Sequence, residues 1–230
     1  MTINLHDGEY DMRILITLLA TSLLFSSAAW AQGNSSDGTR TYEVKVTNIT
    51  KDVVFTPLLG ATHTRAVSFF RLGQAANGAV EQMAEGGAIG PLEEWLLGHS
   101  DDVLDTATNG GLLFPGETAS FTIEGNKHFN YFSMAGMLLP TNDSFVAVNS
   151  MRLPQKSAGS YALGYDAGTE DNDELCMNIP GPQCGGEGYV EGGGEGFVFI
   201  SNGIHGNADL SADAYDWRNP VARVTVTWVD

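Results

Sequence analysis

The sequence predicts an all-β fold, an antiparallel β-sandwich with short inserted helices, and three observations carry that expectation. Thr41 to Asn48 alternates polar and apolar residues with period two, the pattern of a strand with one face buried and one wet. The same alternation returns in Val221 to Val229, and first and last strands of this kind often lie in one sheet. Between them, short apolar runs are punctuated by Gly and Asn, which suits hairpins rather than βαβ units.

The elements follow in order. Thr118 to Glu124, Asn130 to Leu139, Ser144 to Asn149 and Phe197 to Ser201 read as strands, and a further short strand ends at Tyr165. Two short helices interrupt this pattern, at 78–86 and 91–98. Pro91 at a first turn, Glu93 and Glu94 just after it and Gly98 past the end mark the boundaries of the second. Val80, Met83, Trp95 and Leu96 on these helices are expected in the core. Residues 170–196 differ again, with seven acids and many glycines. A loop of that length inside a compact domain is usually functional or mobile.

The N-terminal region carries an export signal. Met12-Arg13 precedes the apolar run Ile14 to Phe25, and Ala29-Trp30-Ala31 supplies a small-x-small site, so residues 1–31 read as a signal peptide cleaved near Ala31. Asp7, Glu9 and Asp11 suit no signal n-region, which makes Met12 the expected start. Residues 32–40 form a polar lead-in, and 41–230 form one domain. No second apolar stretch is long enough to cross a bilayer. The mature protein is therefore expected in the periplasm, at the cell surface or secreted, without a transmembrane segment.

The 230 residues hold 28 acids and 11 lysines and arginines, a net charge of -17. Loss of residues 1–31 leaves 25 acids against 10 bases, or -15. Such a surface disfavours nucleic acid and anionic lipid and favours cations. Cys176 and Cys184 are the two cysteines, and in an oxidising compartment they are expected to form a disulfide. Sequons at Asn34, Asn48 and Asn142 matter only in a eukaryotic secretory pathway.

Catalytic signatures are absent from the sequence. There is no Gly-x-Ser-x-Gly elbow and no His-Glu-x-x-His helix, and the histidines have no partner at a motif spacing. The glycine run 192–196 lacks the Lys-Ser/Thr of a phosphate loop and carries an acid instead. Asp171-x-Asp173 begins like an EF-hand, yet Cys176 stands where that loop needs glycine.

The acid-dense turn Tyr165 to Glu174 lies downstream of Asp143, and no Lys or Arg occurs between Lys156 and Arg218. A hard cation, Ca²⁺ above all, is the simplest remedy for clustered carboxylates. Glu124, Asp143 and Asp166 each close or follow a strand and could meet at one end of a sandwich; otherwise they are ordinary exposed acids. Glu170 and Asp171 are possible auxiliaries.

Five pieces resemble, in order, the spondin N-terminal domain family of F-spondin and mindin: Phe55-Thr56-Pro57-Leu58-Leu59-Gly60-Ala61-Thr62-His63, Ala84-Glu85-Gly86, Pro140 to Val148, Tyr165-Asp166-Ala167-Gly168-Thr169, and Asn219 to Thr225. The resemblance implies a C2-like β-sandwich with Ca²⁺ at one end, held by Asp143, Asp166 and, in a stretch that varies, Glu124. Animal relatives are matrix and adhesion proteins in which thrombospondin repeats follow the domain. Here the sequence ends at Asp230, and the short signal suits a bacterial, stand-alone member. The acidic Gly-rich insert departs from the animal pattern.

The expected function is thus a secreted, non-enzymatic Ca²⁺-binding module for adhesion, whose partner is an unnamed surface protein or glycan. Two other readings stand beside it: an exported metal-dependent hydrolase built on His205, Asp209, Asp213 and Asp216, and a purely structural envelope component. Oligomeric state is not legible in the sequence.

Overall fold

The computed structural model describes residues 38–190 and 192–229. The expected signal peptide, residues 1–31, and positions 32–37 of the lead-in lie outside them. Ten strands run in the order β1 (Arg40–Asn48), β2 (Val54–Phe55), β3 (Leu59–His63), β4 (Val103–Thr108), β5 (Thr118–Gly125), β6 (Tyr131–Leu139), β7 (Ser144–Arg152), β8 (Ser157–Asp166), β9 (Phe199–Ile200) and β10 (Ala222–Trp228). Helices α1 (Gly78–Gly86) and α2 (Ile89–Leu97) enter between β3 and β4, and a single turn, α3 (Ala212–Tyr215), precedes β10.

All pairings are antiparallel. The sheet runs β4-β3-β6-β7-β8-β10-β1-β5, with β2 added to β6 and β9 to β8. First and last strands pair from Tyr42 opposite Trp228 to Asn48 opposite Ala222. The sheet curls until its outer strands meet, and side chains rather than a ladder lace it shut. Glu124 N donates to Asp105 Oδ2 at 2.8 Å, and Thr62 Oγ1 donates to Glu124 O at 2.6 Å. The result is a nearly closed barrel or sandwich.

Two apolar layers explain the sequence pattern. On β1 and β10 the alternating residues Val44, Val46, Val224 and Val226 face an inner core with Phe55, Phe132, Met134 and Val146. The helices cover the outer face of β3, β6 and β7. There Val80, Met83, Leu92 and Leu96 pack on Leu59, Ala61, Ala135, Phe145 and Ala147. Strands β3 and β6 are therefore buried on both faces and show no polar alternation. Trp95 packs against this second layer only partly buried.

Helix α1 begins where expected. Asn77 caps it, Oδ1 accepting from Ala79 N at 3.1 Å and Val80 N at 3.0 Å, and Gly87 at φ 67° ends it. Helix α2 begins two residues before Pro91, because a proline anywhere in the first turn forfeits no intrahelical hydrogen bond. The expected disulfide joins Cys176 to Cys184. Asn48 and Asn142 are buried, so neither sequon can carry a glycan in the folded protein.

Candidate metal centre

Asp143 and Asp166 meet at one end of the sheet. Residues 140–143 form the turn between β6 and β7, held by Thr141, whose hydroxyl donates to Leu138 O at 2.6 Å and accepts from Ser144 N at 3.1 Å. Ser144 pairs with Asp166, the last residue of β8, and Ala167 N donates to Asp143 O at 3.2 Å. Strand pairing therefore brings the carboxylates together although 22 residues separate them in sequence. Asp166 lies within hydrogen-bonding reach of Asp143. Both side chains are buried, Asp143 at 0% and Asp166 at 2% exposure.

Backbone donors hold each carboxylate on one side. Asp143 Oδ2 accepts from Thr169 N at 2.8 Å and Glu170 N at 3.2 Å, with the Thr169 hydroxyl at 3.3 Å. Asp166 Oδ1 accepts from Gly168 N, and its Oδ2 from Asn172 Nδ2, both at 2.9 Å. Asp143 Oδ1 is buried with no hydrogen-bond partner among the described residues. A buried carboxylate oxygen is a strong acceptor, and leaving it unmatched is costly.

More acids surround the pair. Glu170, also buried, accepts from Asn142 Nδ2 at 3.0 Å, and the same amide reaches Asp173 Oδ1 at 3.0 Å. Glu85, near the end of α1, accepts from Val190 N at 3.2 Å and is hydrogen-bonded by the Thr169 hydroxyl. Its Oε1 is buried and unmatched. None of Glu85, Asp143, Asp166 and Glu170 forms a salt bridge with a described Lys or Arg.

This crowding raises the proton affinity of the whole group. Burial pushes Asp143 up. Burial, then the charge of Asp143, pushes Asp166 up to about 8. Burial also raises Glu170 to about 7 and lifts Glu85, with neighbouring acids adding to each. Two adjacent carboxylates resist simultaneous ionisation unless a cation lies between them.

The glycine run has a role the sequence did not reveal. Gly196 N donates to Gly168 O at 2.8 Å, and Gly194 N to Asp171 Oδ1 at 3.1 Å. A Cβ on Gly194 would stand 2.5 Å from Gly168 O, so only glycine allows this backbone to lie on the acid turn. Between them Glu195 is exposed, and its charge acts on both Asp143 and Asp166. Glu195 and Glu85 are the acids that sequence reasoning missed. One lay in a glycine run that had been weighed only as a phosphate loop, and the other looked like an ordinary helix acid.

Two expected residues stand elsewhere. Asp171 is exposed and turned to Gly194, whereas Glu170 points into the cluster. Glu124 is exposed on β5, its carbonyl bonded to Thr62, which pairs with Phe132 at the start of β6. Asp143 follows the other end of β6, roughly 20 Å away at about 3.4 Å per strand residue. Glu124 therefore does not share a site with Asp143. Among the described residues no three His, Cys, Asp or Glu side chains converge as a complete metal shell.

The hydrolase residues are dispersed. Asp209 Oδ2 accepts from Cys176 N at 2.9 Å, Asp216 pairs with Arg218, and the carbonyl of Asp213 accepts from Lys51. Glu174 is buried and holds the neighbouring loop, its two oxygens accepting from His205 N and Asn207 N at 2.6 Å each. His63 Nε2 contacts Ser133 Oγ at 2.8 Å, but both residues are fully buried, and His63 Nδ1 meets the Thr64 carbonyl rather than an acid. That pair braces β3 against β6.

Comparison with known proteins agrees with this architecture. No curated protein matches the chain. The family described as Spondin_N matches residues 39–173, from β1 through β8 and both aspartates. The disulfide-bearing insert and β10 fall outside that span, and with them residues 219–225, which the resemblance in sequence had included. The match covers more than half of the sequence, and the chain belongs to the spondin N-terminal domain family.

Proposed function

We propose that this protein is an exported, non-enzymatic Ca²⁺-binding adhesion module, and one observation supports the reading above the others. Asp143 and Asp166 are buried side by side, with Asp143 Oδ1 unmatched and no described base in reach. Those two carboxylates fit a hard cation, which would take its remaining ligands from backbone carbonyls and water, as Ca²⁺ commonly does. Glu170 and the exposed Glu195 add negative potential around the pair. The ion would neutralise the acids and fix the 166–174 turn against residues 194–197.

Membership of a family of extracellular modules and the Cys176–Cys184 disulfide support export. No helix among the described residues is long and apolar enough to cross a membrane. The partner in adhesion is a surface protein or glycan. Dispersal of His205, Asp209, Asp213 and Asp216 favours binding over hydrolysis.

Calorimetric titration with Ca²⁺, with Mg²⁺ as control, tests the reading. Stoichiometric, Ca²⁺-selective binding that disappears in Asp143→Asn/Asp166→Asn is the expected result. Equal heats in the double variant would place the ion elsewhere.

A further inference from the structure

The opposite end of the sandwich carries a cavity lined by cations. Of the ten lysines and arginines that follow the expected signal peptide, Arg40, Lys127 and Arg152 line one cavity of about 140 Å³. Arg152 ends β7 opposite Tyr131, while Asp143 precedes the first residue of the same strand. Nine strand steps separate the two poles, roughly 30 Å.

These cations are not matched by local acids. None of the three forms a salt bridge with a described residue. Glu124, the nearest acid along the ladder, pairs with Thr41, so strand alternation sends its side chain to the face opposite that of Arg40. The Arg40 guanidinium lies 4.1 Å from the centroid of the Trp228 ring. That cation–π contact holds the guanidinium beside the cavity without consuming its N–H donors in an ion pair.

The cavity is braced before any ligand arrives. Asn126 Oδ1 accepts from His128 N at 2.8 Å and Phe129 N at 2.9 Å, which shapes the loop that carries Lys127. Leu153 N donates to Asn130 O at 2.8 Å and joins the two walls. A Cβ on Gly125 would stand 2.4 Å from Leu153 Cδ1, so the absence of a side chain there lets Leu153, which also lines the cavity, pack against that strand.

We propose that this cavity binds a small oxyanion of the phosphate or sulfate class, either as the free ion or as the monoester end of a larger molecule. Two guanidinium groups and one ammonium supply charge-assisted donors for such a group. The net charge of -15 on the exported chain repels long polyanions and leaves this pole for a compact anion. The site does not depend on the Ca²⁺ reading, since no acid of that cluster contributes to it.

The experiment titrates the purified protein with inorganic phosphate, sulfate and glucose 6-phosphate, with glucose as control, at constant ionic strength. Saturable binding is expected, weakened about tenfold or more in Arg152→Ala and in Lys127→Ala. Both residues are exposed at the rim, so folding is retained. Arg223→Ala, on the exposed face of β10, leaves affinity unchanged. Tighter binding of glucose 6-phosphate than of phosphate assigns the site to a carried monoester, and the reverse order assigns it to the free ion. No saturable response to any of the anions, or equal affinity in Arg152→Ala and the parent protein, overturns the proposal.

Discussion

The N–H of Ala167 donates to the carbonyl of Asp143 at 3.2 Å, one step past the pairing of Ser144 with Asp166. The two buried aspartates are thus fixed by the ladder itself, not by mobile loops. Replacing either carboxylate with an amide keeps an acceptor for the backbone donors and removes a buried group that must hold a proton to stay uncharged, whereas in the unfolded chain it ionises freely. Asp166→Asn is expected to raise the stability of the metal-free protein by about 1–2 kcal/mol while abolishing stabilisation by Ca²⁺. Denaturant curves with and without the ion measure both effects, and a variant that still gains stability from Ca²⁺ would contradict the assignment.

Metal-free protein should lose stability as pH rises. Asp166 and Glu170 have ordinary values of 3.8 and 4.5 and are raised to about 8 and about 7 in the fold. Between those limits the native state holds more protons than the unfolded chain, so stability falls with increasing pH. The contribution is full below the unfolded values and gone above the folded ones. Urea midpoints of demetallated protein should drop between about pH 4 and pH 8. Saturating Ca²⁺ should flatten the profile, because the ion competes with those protons.

Glu174 anchors a loop rather than a ligand. Glu174→Ala strips the acceptors from His205 N and Asn207 N, two hydrogen bonds to a charged group worth about 1.5–3 kcal/mol each at most, since both residues are exposed. Limited proteolysis should then cut near residues 203–209 well before the parent protein is cut there. Ca²⁺ binding should persist, which separates this carboxylate from the aspartate pair proposed to hold the ion.

Ser133→Ala tests the buried bridge between β3 and β6. The Ser133 hydroxyl meets His63 Nε2 at 2.8 Å and accepts from Ser150 N at 2.8 Å. Its loss should cost about 1–3 kcal/mol in thermal or chemical unfolding. Burial also holds His63 below its ordinary value of 6.5, so this residue contributes stability that declines as pH falls through 6.5 toward its folded value.

What was legible in the sequence follows from which faces are wet. Strands β1 and β10 have one solvated side, and their alternation is plain. Leu59 to His63 was not recognisable as a strand, because its five residues are all buried between the inner core and the helices. Asp143 and Asp166 were legible because each lies at the end of a strand beside turn residues. Glu85 and Glu195 were not, since residues 58 and 52 positions from Asp143 meet it only through tertiary packing. Glu124 was misplaced for a topological reason. It is the next-to-last residue of β5, and the short connection to β6 puts that end beside the start of β6, not beside its close.

Strand β10 lies between β8 and β1, so the final described strand occupies the middle of the sheet rather than an edge. Until Ala222 to Trp228 is in place, both neighbours present open hydrogen-bonding edges, and no ladder among the described strands joins the two halves of the barrel. Joining β8 to β1 therefore waits on β10, a long-range pairing of the kind that forms slowly. A polypeptide that has not yet placed β10 leaves those strand edges for proteases and aggregation to find. The topology makes β10 the keystone of the sheet.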